Sequence, residues 1–210
     1  MKKRCAGYAL IGALIYGPLL FGILILLQIN DFSFSTYAMC SLAIDKQLYH
    51  LLFYLTTWGM AILHVPFIIK WPSISKDLGG NTKGKKLFFL AGIIYLIGFL
   101  LFPVFLFDPD NMVSYRIHQV IASFYFPSCA IIAIIPWINL KANKKYNFLY
   151  AVVSILWMTI SLLYFLGFVI FAKSAPPYPG WVNIINWLFL VSYGPWALIY
   201  GVLIIKEVKE

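Results

Sequence analysis

Charge is what this sequence lacks. Asp, Glu, Lys and Arg make up 11% of its 210 residues, and only seven of them are acidic. An ordinary soluble domain carries roughly 25% charged residues. With 62% hydrophobic residues and a mean hydropathy of +0.87, the chain has too few polar side chains to cover a water-facing surface. That excludes a soluble globular domain and leaves the bilayer as its solvent. Cysteine and histidine are scarce too, with three of each. Cys5, Cys40 and Cys129 fall at the amino-terminal end, in a polar loop and inside an apolar run. No two are placed to meet, so no disulfide is expected. The chain has no Gly-x-Ser-x-Gly elbow, no His-Glu-x-x-His and no paired-cysteine motif. The glycines between Asp77 and Lys86 follow no strand and lack the Gly-x-x-x-x-Gly-Lys-Ser/Thr pattern, so they do not read as a phosphate-binding loop. No cofactor is expected.

Long apolar runs are what the chain has in plenty. Six of them (Tyr8–Ile29, Leu48–Ile69, Leu87–Phe107, Ile117–Ile138, Phe148–Phe171 and Trp181–Ile205) contain no Asp, Glu, Lys or Arg in their interiors. Each is close to the about 20 residues that span a bilayer core. Only helices and closed barrels satisfy their backbone groups in lipid, and these runs lack the alternating pattern of barrel strands. The expected fold is an all-α, single-domain bundle of six transmembrane helices over residues 1–210. Met1-Lys2-Lys3-Arg4 before the first run looks like the start of a signal peptide. The run is longer than a signal core and has no small-residue cleavage site, so it is read as an uncleaved span.

The basic residues fix an orientation. Lys2, Lys3, Arg4, Lys70, Lys76, Lys83, Lys85, Lys86, Lys141, Lys144, Lys145, Lys206 and Lys209 fall on one side of such a bundle. Lys46, Arg116 and Lys173 fall on the other. This thirteen-to-three division exhausts the sixteen basic residues and predicts both termini in the cytoplasm of a cell membrane. The net charge of +9 then belongs to short loops. It suits anionic lipid head groups there and does not indicate nucleic acid. Tyr8, Trp71, Trp137, Tyr146 and Trp181 stand at the expected interfaces. Pro18, Pro66, Pro103, Pro127, Pro136 and Pro195 interrupt five of the runs. They read first as ordinary membrane-helix kinks, and second as broken helices of the kind that line a transport site.

Polar side chains inside apolar runs turn toward the bundle interior. In the second run His50, Tyr54, Thr57, Ala61 and His64 recur at spacings of 4, 3, 4 and 3, which places them on one helical face. In the sixth, Asn183, Asn186 and Tyr193 share a face and suit interhelical hydrogen bonds or a polar-lined cavity. His50 and His118 both begin their helices on the side opposite the lysines, in the same layer as Asp45, Asp108 and Asp110. Such a set can hold a metal or a general base, or can simply be solvated and cap helices. Two stacked haems are excluded because only three histidines are available. The candidate ligand-binding residues are His50, Tyr54, Thr57, His64, His118, Asn183 and Asn186, with any cavity expected to open on the outer side between the second, fourth and sixth helices.

The order of short motifs adds a resemblance. The first outer loop holds Phe32-Ser33-Phe34-Ser35-Thr36-Tyr37-Ala38-Met39-Cys40-Ser41-Leu42. The third helix closes with Gly98-Phe99-Leu100-Leu101-Phe102-Pro103 before a short acidic loop. His118 precedes Ala122, Phe124 and Phe126, and Gly180-Trp181 opens the sixth helix ahead of Asn186 and Trp187. This pattern resembles a prokaryotic six-helix membrane family catalogued as a domain of unknown function (family 998). More distantly, it is similar to the DRAM/Sfk-like six-helix proteins implicated in autophagy and lipid organisation. Cys40-Ser41-Leu42-Ala43 departs from the family's first loop. Val182 and Ile184 stand where a polar or basic residue is often found. The resemblance implies architecture and no activity. The function expected is binding of lipid or a small hydrophobic molecule, or membrane organisation. The alternatives are a small transporter or channel subunit, and a lipid-acting enzyme with an outer His/Asp site.

Overall fold

The structure, a computed structural model, describes residues 3–27, 47–106, 108, 110–141, 143–146, 148–171 and 179–208. Regular structure among them is entirely helical: α1 (Arg4–Leu27), α2 (Gln47–Asp77), α3 (Lys85–Leu101), α4 (Met112–Leu140), α5 (Phe148–Phe171) and α6 (Gly180–Glu207), with a 3-10 turn at Lys144–Tyr146. Five of the helices are long and apolar enough to cross a membrane. The sixth, α3, has 17 residues and stands at the lower end of the ~17–25 that span a bilayer. Cys5 and Cys129 are free thiols. Cys40, Asp45 and the loop motif 32–42 lie outside the described residues.

The two largest differences from the expected helix bounds both involve proline. The second helix was expected to give way to a loop at Trp71, but α2 runs on to Asp77. Phe67, Trp71, Ile74 and Leu78 carry its buried stripe onward at spacings of 4, 3 and 4. Pro72 removes one ladder donor without stopping the helix. The third helix was expected to reach Phe107, but α3 ends at Leu101. Pro103 has no N–H for the carbonyl of Phe99, and the chain turns at once. The N–H groups of Val104 and Phe105 both reach Leu101 O at 3.0 Å. Pro18, Pro66, Pro127, Pro136 and Pro195 instead lie within helices that continue through them.

The helices form a ring in chain order. Each packs on its sequence neighbours, and α1 closes the ring against α6. Gly7 and Gly201 make that closure possible. A Cβ on Gly7 would lie 2.7 Å from the carbonyl oxygen of Gly201, so only hydrogen lets the two backbones approach. The ring is apolar outside and partly polar inside. Ile62, Val113 and Ile170 are about 70% exposed, whereas Thr57, His64 and Asn186 are 3%, 1% and 1% exposed. A soluble bundle sorts its residues the other way.

Hydrogen bonds hold the lysine-rich end together. Arg4 Nε donates to Val208 O at 2.9 Å, Lys3 pairs with Asp77 at 2.6 Å, and Lys145 pairs with Glu207 at 2.7 Å. The hydrogen bond to Glu207 holds the Lys145 ammonium above the usual lysine range. Beneath these surface pairs lies a buried node. Asn139 of α4 accepts from Trp71 Nε1 at 3.0 Å and donates to Asn81 Oδ1 at 3.1 Å and Lys83 O at 2.9 Å. Its backbone carbonyl accepts from Asn81 N at 3.0 Å. Ser75 Oγ donates to Asn81 O at 2.7 Å, and Asn143 Nδ2 to Leu78 O at 3.2 Å. One asparagine thus ties the turn between α2 and α3 to α4.

Candidate functional site

At the centre of the ring is a cavity of about 60 Å³, counted as space open to the centres of water molecules. One water needs about 10–15 Å³ on that measure, so the space holds several waters or a small organic group. All six helical segments line it. Phe21 comes from α1; Phe53, Thr57 and Met60 from α2; Tyr95 and Phe99 from α3, with Phe102 just beyond it. Tyr125 and Phe126 come from α4, Trp157 from α5, and Asn186, Phe189, Leu190 and Tyr193 from α6. Ten of these fourteen side chains are aromatic and none is charged. The rings brace one another. Tyr95 stacks on Tyr125 at 5.3 Å and 10°, and Tyr125 meets Phe102 edge to face at 4.9 Å. Such pairs add about 0.5–1.5 kcal/mol each beyond burial and fix ring positions. The lining comes from the later parts of α1 and α3 and the earlier parts of α2, α4 and α6, so the cavity sits in the half of the bundle away from the lysines.

His64 stands behind the wall on the lysine side. Its Nδ1–H donates to Met60 O at 2.6 Å, because a carbonyl can only accept. Nε2 is then the acceptor, and Tyr193 OH donates to it at 2.8 Å, with Tyr95 OH at 3.2 Å. One imidazole therefore links α2 to α3 and α6 and orients two tyrosines of the lining. Thr57 bonds back to Phe53 O at 2.9 Å within its own helix. Trp157 is fully buried, and its indole N–H has no acceptor among the described residues. A buried donor of this kind is costly unless something accepts from it.

The opposite side of the cavity is closed by the turn after α3. His50 Nε2–H donates to Pro103 O at 2.7 Å and His118 Nδ1–H donates to Phe105 O at 2.6 Å. The two histidines converge on one turn from α2 and α4, each using a ring nitrogen on a main-chain carbonyl that α3 no longer satisfies. Between them they hold Phe102 over the cavity, where its ring packs on His118 at 4.8 Å. Tyr54 packs its ring at a tilt on His50 at 4.8 Å and stays half-buried, outside the lining. Asp108 accepts from Asp110 N at 2.9 Å in the adjoining loop. Among the described residues no three of His, Cys, Asp and Glu gather as a metal site would require. Asn183 is buried near the start of α6, and Asn186, one turn on, reaches the cavity.

Of the sequence-derived candidates, the cavity thus takes Thr57 and Asn186 into its lining, His64 into its support and His50 with His118 into its closure. The sequence reading missed Trp157, Tyr95 and Tyr125. A signal for Trp157 was present, since Ser154, Trp157, Ser161 and Tyr164 repeat at spacings of 3, 4 and 3, and all four are buried. Compared with family models, curated proteins and solved structures, the chain matches none.

Proposed function

We propose that this is a six-span membrane protein, with both termini cytoplasmic, whose central cavity binds a small, mostly apolar molecule carrying one hydrogen-bond acceptor. The observation that carries this reading is the uncharged cavity, lined by aromatic rings from every helix, with the Asn186 amide among them. Apolar walls with a few convergent polar groups are the usual make-up of a small-molecule site. The absence of charge in the lining argues against an ionic ligand, because an ion there would be desolvated without a counter-charge. Asn186 supplies the polar contact that would orient a carbonyl or ether oxygen. The resemblance to the six-helix family of unknown function fits this architecture.

The test is native mass spectrometry of protein purified in mild detergent, followed by solvent extraction. A discrete small molecule is expected with the wild type and is expected to fall at least tenfold in Leu190→Trp, which fills the cavity. Equal recovery from a folded Leu190→Trp protein would refute the reading. Orientation has its own test in a Cys5→Ser/Cys40→Ser background. On intact cells, an impermeant thiol reagent is expected to label Asp110→Cys and to reach Lys144→Cys only after permeabilisation. The reverse pattern would invert the bundle.

A further inference from the structure

We infer that the lysine-rich end carries a discrete site for the phosphate of an anionic glycerophospholipid, in the groove between the end of α2 and the start of α3. The groove encloses about 230 Å³ and is lined by Pro72, Ser73, Lys76, Thr82 and Lys85. It exists because α2 overruns the apolar span, and the Asn139 node clamps the following turn against α4. Its walls are therefore set before any ligand arrives, which lowers the ordering cost of binding.

Charge in the groove is uncompensated. Asp77, the carboxylate next to Lys76, is taken by Lys3 at 2.6 Å. Lys145 has Glu207, and Lys141 lies over the Trp137 ring. Among the described residues neither Lys76 nor Lys85 has an acidic partner. Ser73 Oγ already donates to Lys70 O at 2.9 Å, so Thr82 is the hydroxyl left to donate to a phosphate oxygen. Two ammonium groups and one hydroxyl on facing walls suit a phosphate.

Neighbouring apolar side chains identify the source of that phosphate. One helical turn deeper, Ile69 precedes Ser73 on α2 and Phe89 follows Lys85 on α3. They are 52% and 47% exposed. Positions four apart share a helical face, so each apolar side chain lies in line with the groove wall above it. A cationic groove continuing into exposed apolar surface fits an amphiphile better than a free anion.

The experiment measures binding of phosphatidic acid to the purified full chain by native mass spectrometry, with phosphatidylcholine of the same acyl chains and inorganic phosphate as comparators. Phosphatidic acid is expected to bind one to one in preference to phosphatidylcholine, and millimolar phosphate is expected not to displace it. The Lys76→Gln/Lys85→Gln protein is expected to bind about 30-fold more weakly, because it removes both charge-assisted hydrogen bonds to the phosphate. Lys83→Gln/Lys86→Gln removes the same charge from the same turn outside the groove, and less than a threefold loss is expected. Equal losses from the two pairs would overturn the site in favour of diffuse attraction. Displacement by inorganic phosphate would overturn the lipid. All four positions are exposed, and Lys76→Arg/Lys85→Arg is expected to retain binding.

Discussion

An Asn139→Leu protein is expected to lose about 3–5 kcal/mol of stability, because it strands the buried Trp71 N–H and removes two part-buried hydrogen bonds to the turn at once. Leucine matches asparagine roughly in size but offers nothing to Trp71 Nε1, Asn81 Oδ1 or Lys83 O. Trp71 is 1% exposed, so its N–H cannot turn to water. A group left unsatisfied in this way costs about 1–3 kcal/mol, far more than the net worth of the bond it made. For a chain of this size that is a fall in Tm of roughly 10 °C. The measurement is thermal unfolding in detergent, together with limited proteolysis. Cleavage between Leu78 and Leu87 is expected to speed up, because the turn is then tied mainly by Ser75 and Asn143. Asn139→Asp is the informative comparison. It keeps an acceptor for Trp71 but sets a buried carboxylate against Asn81 Oδ1 and Lys83 O, so near neutral pH it is expected to fall at least as far as leucine. An unchanged Tm for Asn139→Leu would mean that the node is incidental to the fold.

How much of this was legible in the sequence follows from what kind of information each feature needs. Helix number came from apolar runs, which are local and set by bilayer thickness. The burial of His64, Thr57 and Asn186 came from polar residues at helical spacing, also a local pattern. The overrun of α2 was written in Trp71, Ile74 and Leu78, but Pro72 and the following glycines masked it. The early end of α3 was written in Pro103, although the other interior prolines in these helices stop nothing. What distinguishes Pro103 is tertiary: His50 and His118 accept the cost of the turn by bonding its freed carbonyls. The cavity was the least legible feature, because it depends on which six faces meet. The expected arrangement drew on α2, α4 and α6 with the outer histidines. The ring instead brings aromatic side chains from every helix to the centre and leaves His50 and His118 to hold its closure. Asn139 could not have been singled out from Asn81 and Asn143, since only the packing of α4 against the α2–α3 turn gives it four hydrogen bonds to three residues.

Replacing His64 tests whether the cavity is a designed feature of the packing or a gap left by it. His64→Phe keeps a flat ring among Tyr95, Phe99 and Tyr193 but removes the acceptor for two buried hydroxyls. The expected cost is about 1–3 kcal/mol, because the Tyr193 O–H stays buried at 3% exposure without Nε2, while Tyr95 keeps Tyr125. Tyr193→Phe alone removes one neutral donor and leaves Nε2 to Tyr95, so it is expected to cost only about 1 kcal/mol. The decisive variant is the triple His64→Phe, Tyr95→Phe, Tyr193→Phe. Replacing His64 and both tyrosines by apolar groups of similar shape removes the donors with their shared acceptor and gives up only the Tyr95–Tyr125 hydrogen bond, so the triple is expected to recover part of the stability lost in His64→Phe. Thermal unfolding measures this, and a triple variant less stable than His64→Phe would show that the imidazole acts through packing and not through its hydrogen bonds. Ligand recovery separates structure from function in the same set of proteins. The triple variant is expected to fold while holding the cavity molecule less well, because its tyrosines would no longer be oriented from behind. If it folds and retains the molecule fully, then His64 and its tyrosines serve the bundle alone, and the polar recognition rests with Asn186.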